Sequence, residues 1–299
     1  MPDRTIEYLS SQQIDREKWD RCIASAPNGL IFSTSIYLDM LTDHWNAVIV
    51  GDYEAVMPLP WRKKLFVKYH YHVPFIPQAG LTGVYDDNLS KVVAKLVLRK
   101  IPFGDLLLNY GNTAMARYLR AVPLTNLVLD LSVQFPHIHK KYHHDLENNL
   151  RRAARHDFKY GVSADVKTPI TLFRKLYGSR LRSVRASDFD RFTSLCLHLY
   201  RNNQAFIRKV TDVKGKLLAA VLLLRDDRRI YNMINSVTPE GRKKSANHFL
   251  YDQLMREFAG QALTFDFEGS RVPGIRRFYE NFGAENQPYY WSRRIPWSL

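Results

Sequence analysis

The sequence predicts an α/β (α+β) protein built on mixed central sheets flanked by helices. Three observations carry this. Between Lys216 and Gly283 the pattern runs strand, turn, strand, basic loop, helix, strand, helix. Both halves of the chain share the same mixed texture of strand-length apolar runs and helical-period segments. With 299 residues and 45% hydrophobic content, the chain is long enough for one large domain or two modest ones, each with a real core.

The elements follow in order. Thr5 to Leu9 reads as a short strand, and Asp15 to Ala24 as a helix with Asp15 as N-cap. Pro27-Asn28-Gly29 is a turn, and Ser35 to Asp43 a second helix. Asn46 to Val50 and Glu54 to Leu59 form a hairpin across Gly51-Asp52, followed by the basic run Trp61-Arg62-Lys63-Lys64. Tyr69 to Gln78 is aromatic and proline-rich, as in a loop or edge strand. Leu89 to Lys100 is helical, Leu106 to Leu108 a strand and Ala114 to Arg120 a helix. Val122-Pro123 is the best domain boundary, giving domains 1–123 and 124–299.

The second half opens on a strand, Leu127 to Leu131, and a long basic helix, His139 to His156. A strand after Gly161-Val162 leads to helices near Ile170 to Tyr177 and from Ala186 to about Asn202. Leu217 to Leu224 is an almost unbroken apolar run, as in a strand covered on both faces. Ile230 to Val237 alternates Tyr231, Met233 and Asn235 against Asn232, Ile234 and Ser236. After the basic loop a helix carries the stripe Phe249, Leu250, Leu254, Met255 and Phe258. Leu263 to Glu268 is a third strand and Pro273 to Phe282 a last helix.

The net charge of +15 favours anionic partners: nucleic acid, CoA-type phosphates, nucleotide sugars or an anionic membrane surface. Cys22 and Cys196 stand far apart without metal-ligand or redox spacing, which suits a reducing, cytoplasmic compartment. No signal peptide and no apolar run of the ~18 residues of a membrane span is seen. The P-loop, the dinucleotide-binding glycine fingerprint, the nucleophile elbow and zinc-ligand spacings are missing as well.

The segment from the hairpin to Phe278-Tyr279-Glu280-Asn281-Phe282-Gly283 resembles the second half of a GNAT acyltransferase domain. That family's loop before the helix reads Gln/Arg-x-x-Gly-x-Gly/Ala; Arg242 fits its first position, with Ser245 and Asn247 where glycines would stand. Its last helix often reads Leu-Tyr-x-x-x-Gly-Phe, so Tyr279 falls on the usual general-acid position. Tyr-x(7)-Leu-Arg-Arg-Ala-Ala-Arg-x(5)-Gly-Val, from Tyr142 to Val162, is similar to the basic segment opening the second domain of FemAB-type aminoacyltransferases. Ile31-Phe32-Ser33-Thr34-Ser35-Ile36-Tyr37 and the passage from Ala55 to Gly80 resemble their first domain. In FemAB-type proteins a lysine often occupies the place of Tyr279. The resemblance implies two tandem GNAT-like domains, 1–123 and 124–299, with the donor site in the second. It implies acetyl-CoA or another acyl-CoA as donor, or alternatively aminoacyl-tRNA, and an amine acceptor.

The candidate site residues fall in four groups. The loop Arg242, Lys243, Lys244, Ser245, Ala246 and Asn247 opens a helix, where free N–H groups and the helix dipole favour phosphates, and Ser245 can act as cap. The plain alternative is a solvated basic helix start. Asp266 and Glu268 share one strand face with Thr264, and Glu268 ends the strand, where open sheets place ligands. A buried carboxylate beside another would be a competent general base; ion pairing to Arg271, Arg276 or Arg277 is the structural alternative. Tyr279 is a candidate general acid, lying off the packed face made by Phe278 and Phe282. Arg152, Arg155 and Lys159 share a helical stripe suited to a phosphate track, or to a solvated charged face. His139 and His143 lie one turn apart, but without a His-Glu-x-x-His motif no metal site is expected.

The reading is a cytoplasmic N-acyltransferase without a metal. A FemAB-type aminoacyltransferase acting on a cell-wall or lipid precursor is the alternative. The rival from another class is a non-catalytic nucleic-acid-binding protein, for which only Tyr142 and Phe158 offer stacking in the basic segment.

Overall fold

A computed structural model describes residues 4–181, 183–268 and 272–295. The chain forms two compact units: residues 4–125 with 288–295, and Asn126–Gln287.

The first unit begins with β1 (Ile6–Ser10), α1 (Arg16–Ser25), α2 (Ser35–Leu41), β2 (His44–Val50) and β3 (Ala55–Lys64). It continues through β4 (Val67–His70), β5 (Thr82–Gly83), α3 (Asp87–Lys100), β6 (Gly104–Leu108), α4 (Thr113–Tyr118) and β7 (Val122–Leu124). Asp15 caps α1 as expected, accepting the Lys18 N–H. The sheet runs β1-β2-β3-β4-β6 and then takes in a distant strand before ending on β7; β5 pairs with β3. Val48, Val50, Met57 and Leu59 pack with Val93 and Val97 of α3 and Met115 of α4.

The second unit runs β8 (Leu127–Asp130), α5 (Phe135–His139), α6 (His144–Ala153), β9 (Lys159–Ser163), α7 (Lys167–Tyr177), α8 (Ala186–Arg201), β10 (Ala205–Thr211), β11 (Leu217–Arg225) and β12 (Arg229–Val237). Then come α9 (Pro239–Lys243), α10 (Ala246–Phe258), β13 (Thr264–Asp266), α11 (Pro273–Glu280) and β14 (Glu285–Asn286). The final strand, β15 (Tyr289–Arg294), hydrogen-bonds between β6 and β7. It therefore belongs to the first unit's sheet, although the sequence reading ran the second domain to residue 299.

The second sheet is ordered β14-β8-β13-β12-β11-β10-β9. Its strands pair antiparallel except β12 with β13, which run parallel over Arg229–Tyr231 and Thr264–Asp266. The ladder between β11 and β12 shifts: Ile234 faces Leu222, Asn232 faces Leu223, and Met233 has no partner residue. This bulge switches the sheet face of everything before it. Directly paired residues share a face. Ser236, opposite Ala220, donates to the Pro169 carbonyl of α7, so Ile234 and Leu222 also face α7. Asn232 and Leu223 face the other way, toward the core formed with α10. The strict alternation read from the sequence therefore breaks at Met233.

Two further expectations change. The helix predicted from His139 to His156 holds only over His144–Ala153: His139 ends α5, and the His143 N–H bonds the Asn281 carbonyl rather than its own turn. His143 is extended there and caps α6, its Nδ1 accepting the Asp145 N–H. The third strand ends at Asp266; the Phe267 N–H goes to the Leu127 carbonyl and Glu268 takes a left-handed conformation (φ 60°).

Candidate active site

The site forms where β12 and β13 part. Their pairing stops after Tyr231, while β12 continues to Val237. At the bulge, the Asn232 amide is turned onto three neighbours. Its Nδ2 donates to the Tyr279 hydroxyl (3.1 Å) and to the Phe267 carbonyl (3.4 Å), and its Oδ1 accepts from the Tyr251 hydroxyl (2.8 Å). Accepting from Asn232 leaves the Tyr279 proton for another acceptor. Burial pushes Tyr279 up to about 12, aided by the nearby Glu268 charge and opposed by the Asn232 hydrogen bond. Burial likewise raises Tyr251, which is wholly enclosed.

Tyr279 does not lie off the packed face, as the helical spacing had implied. Its ring sits 4.7 Å from Phe267 and 5.6 Å from Phe278, inside the aromatic core with Tyr251 and Phe282. Only its hydroxyl has polar company. Such a phenol stays protonated at neutral pH and is placed to give a proton.

Glu268 is half-buried as a residue, but both carboxylate oxygens are buried and have no hydrogen-bond partner among the described residues. Burial raises it well above the usual carboxylate range, and the charge of Asp266 adds to this against Arg229. Asp266 differs sharply. Its oxygens accept from Arg229, from Asn126 Nδ2 (3.0 Å) and from the Glu268 N–H (2.9 Å). The Arg229 and Asp266 side chains are 8% and 0% exposed. Asp266 is thus committed to holding the turn into Glu268. Of the arginines weighed as partners for these carboxylates, Arg271 lies outside the described residues, Arg276 pairs with Glu280, and Arg277 pairs with Asp145.

The basic loop is more structured than the sequence implied. Arg242 and Lys243 belong to α9 and are exposed; Arg242 donates to the Tyr177 hydroxyl (3.1 Å). Lys244 pairs with Glu240 (2.7 Å), which also holds Lys216. Ser245 does not cap α10. It takes the left-handed conformation (φ 59°) that a glycine would favour, and its buried hydroxyl donates to Asn149 (3.0 Å). The Ala246 side chain is buried as well. The first turn of α10 thus keeps a glycine-like backbone with its small side chains turned into the protein. Next to it, Asn247 Oδ1 and His248 Nδ1 are buried without hydrogen-bond partners among the described residues. Burial, helped by the charge of Arg152, lowers His248 to about 4.

Arg152, Arg155 and Lys159 do not form one helical stripe. Helix α6 ends at Ala153, Arg155 lies in the following turn and Lys159 begins β9; all three are exposed. Among the described residues His143, His144 and Asp145 come close enough to share an ion, in place of the His139 and His143 pair considered from sequence. Asp145 also holds Arg277 at 2.7 Å.

Asn232, Tyr251 and Tyr177 were not singled out by sequence. Asn232 carried a usable signal, an amide inside a strand whose neighbours are all covered. Tyr251 and Tyr177 look like ordinary helix aromatics.

With this geometry in view, residues 140–279 match the family model described as Acetyltransferase (GNAT) domain. The whole chain has a FemAB-like GNAT fold. The crystal structure of FemX overlays with a TM-score of 0.68 at 14% identity, over 96% of this chain and 97% of that one. A C-terminal domain assigned to a lysylphosphatidylglycerol synthetase from Agrobacterium fabrum gives 0.58 at 12% identity, over 94% and 91%. L-PGS from Bacillus licheniformis gives 0.55 at 14%, over 95% and 93%. No curated protein matches the sequence.

Proposed function

We propose that this protein is an N-acyltransferase whose donor carbonyl lies where β12 leaves β13. The observation that carries this is the Tyr279 hydroxyl held by Asn232 and close enough to Glu268 to feel its charge, with both Glu268 carboxylate oxygens buried and lacking a hydrogen-bond partner among the described residues. An amine nitrogen attacks the acyl carbonyl and forms the new C–N bond. Glu268, a stronger base than an ordinary carboxylate, takes the proton the nitrogen loses. As the tetrahedral species collapses, the bond to the leaving sulfur or oxygen breaks, and Tyr279 gives that atom its proton. Asn232 orients the phenol, and Asp266 with Arg229 holds Glu268 in its turn.

Acyl-CoA is the first donor reading. The GNAT-domain match and the glycine-like backbone at Ser245 support it, because the buried Ser245 and Ala246 side chains leave the start of α10 open to phosphates, with Arg242 and Lys243 alongside. An aminoacyl-tRNA donor is the second reading, supported by the full-length likeness to FemX and to the lysylphosphatidylglycerol synthetase domain, and by the +15 charge. The deciding experiment is calorimetric titration of the full chain with acetyl-CoA and, separately, with total tRNA at several salt concentrations. Micromolar acetyl-CoA binding that Arg242→Ala weakens is the expected result. Binding of tRNA alone, followed by aminoacyl transfer, selects the second reading. Full turnover by Glu268→Gln and Tyr279→Phe removes the mechanism whichever donor is used.

A further inference from the structure

In the first unit, strands β3 and β4 extend beyond the sheet as a two-stranded ribbon. Strand β2 pairs with β3 only as far as Trp61, and β4 touches β6 only at His70, so Arg62–Lys64 and Val67–Tyr69 have each other as partners. The tip is apolar and open to solvent: Leu65 is 84% exposed, Phe66 91% and Val67 50%. These side chains serve no core. They do not serve the turn either, because Leu65 sits at φ 53°, a conformation that favours Gly or Asn over a bulky residue. Solvation counts against both Leu65 and Phe66 at this place, and backbone conformation against Leu65 as well.

Behind the tip the residue types change in order. Lys63, Lys64 and Lys68 form an exposed collar, none with an ion pair among the described residues. The Lys63 ammonium lies 5.9 Å from the Phe66 ring and that of Lys68 lies 4.2 Å from Trp61. Trp61 and Tyr69 follow, half-buried, with His44 stacked on Trp61. An apolar end backed by a ring of lysines fits a bilayer surface, acyl chains first and anionic headgroups behind them. Three residues of strand beyond the sheet reach about 10 Å, comparable to the depth to which interfacial elements insert.

We propose that this hairpin docks the protein on an anionic membrane surface, with Leu65 and Phe66 entering the acyl region and Lys63, Lys64 and Lys68 on the phosphates. A protein partner would have mainly the apolar tip Leu65, Phe66 and Val67 to hold, far less surface than a stable protein interface buries. A nucleic acid would use the lysines but has no use for an exposed Leu-Phe pair. The proposal is independent of the donor, and it holds whether or not the second unit transfers acyl groups.

The test is co-sedimentation of the full chain with vesicles of phosphatidylcholine alone and of phosphatidylcholine with about a third phosphatidylglycerol. The wild type is expected to sediment with the anionic vesicles and far less with the neutral ones. Leu65→Gly with Phe66→Ser places a favoured residue at the positive φ, so the fold is retained while the apolar tip is lost; partitioning should fall at least roughly tenfold. Neutralising Lys63, Lys64 and Lys68 to Gln should weaken anionic binding by roughly fivefold per lysine. Vesicle binding unchanged in the Gly/Ser variant overturns the proposal, as does no vesicle binding at all. It is equally overturned if the tip variant abolishes self-association in sedimentation velocity without vesicles. Lysine-dependent RNA binding in the absence of vesicle binding sinks it too.

Discussion

Replacing Glu268 with leucine should stabilise the second unit while removing its activity. Both Glu268 oxygens are buried and have no hydrogen-bond partner among the described residues, and Asp266 places a second negative charge beside them. A buried polar group without a partner costs about 1–3 kcal/mol, and removing it with an apolar side chain of similar size recovers that amount. A gain of about 2 kcal/mol raises Tm by about 4–8 °C for a unit the size of Asn126–Gln287. The sign with pH is equally definite. A carboxyl raised above its ordinary value is favoured by the fold in its protonated form. Its stabilising share is complete below the ordinary value of about 4.3 and is lost as pH rises toward the folded value. The advantage of Glu268→Leu over the wild type should therefore be small near pH 4 and grow toward pH 8. Urea unfolding across that range, followed by the fluorescence change of the full chain, measures it. A variant that loses stability at pH 8, or whose advantage shrinks as pH rises, would falsify the account of Glu268 as a desolvated carboxylate without a hydrogen-bond partner among the described residues.

Three more outcomes follow from the same unit. Arg229→Met should cost about 3–5 kcal/mol by leaving Asp266 in the interior without its counter-charge, and adding Asp266→Leu should recover most of it; a loss under about 1 kcal/mol for the single variant contradicts the pairing. His248, lowered to about 4, is kept neutral by the fold, so its share of stability is complete above its ordinary value of 6.5 and is lost as pH falls through about 4. At about 1.4 kcal/mol per unit of pKa the ceiling is about 3 kcal/mol, and unfolding of His248→Phe between pH 7 and 4 should lack this decline. Gly241→Ala would bring a Cβ to 2.2 Å from the Leu218 carbonyl oxygen, forcing α9 off β11 at a cost of about 1–3 kcal/mol in thermal unfolding. Wild-type stability in that variant would show that α9 is not seated as described.

The sequence by itself determined the α/β class, the order of elements from Leu217 to Gly283 apart from the short helix α9, and the polar residues that the second half would have to place somewhere. Those follow from local properties: strand and helix periods, Asp15 as a cap, turns at Gly and Pro, and carboxylates in a strand with little water around it. The tertiary structure decided which of them meet. One unpaired residue, Met233, turns Asn232 from the α7 face to the face of Tyr251 and Tyr279, and no period in the sequence marks a bulge. Asp266 and Glu268, two residues apart and alike in the sequence, separate into an ion-paired anchor and a buried carboxylate without a hydrogen-bond partner among the described residues. The cause is Arg229, brought beside Asp266 by parallel pairing of strands that are separated in the chain by α9 and α10. The helix read through His143 breaks because a distant carbonyl, that of Asn281, competes for its N–H. The last strand pairs with β6 and β7 far behind it in the chain. In each case the outcome depends on a partner remote in sequence, and local pattern carries no information about such a partner until the chain has folded.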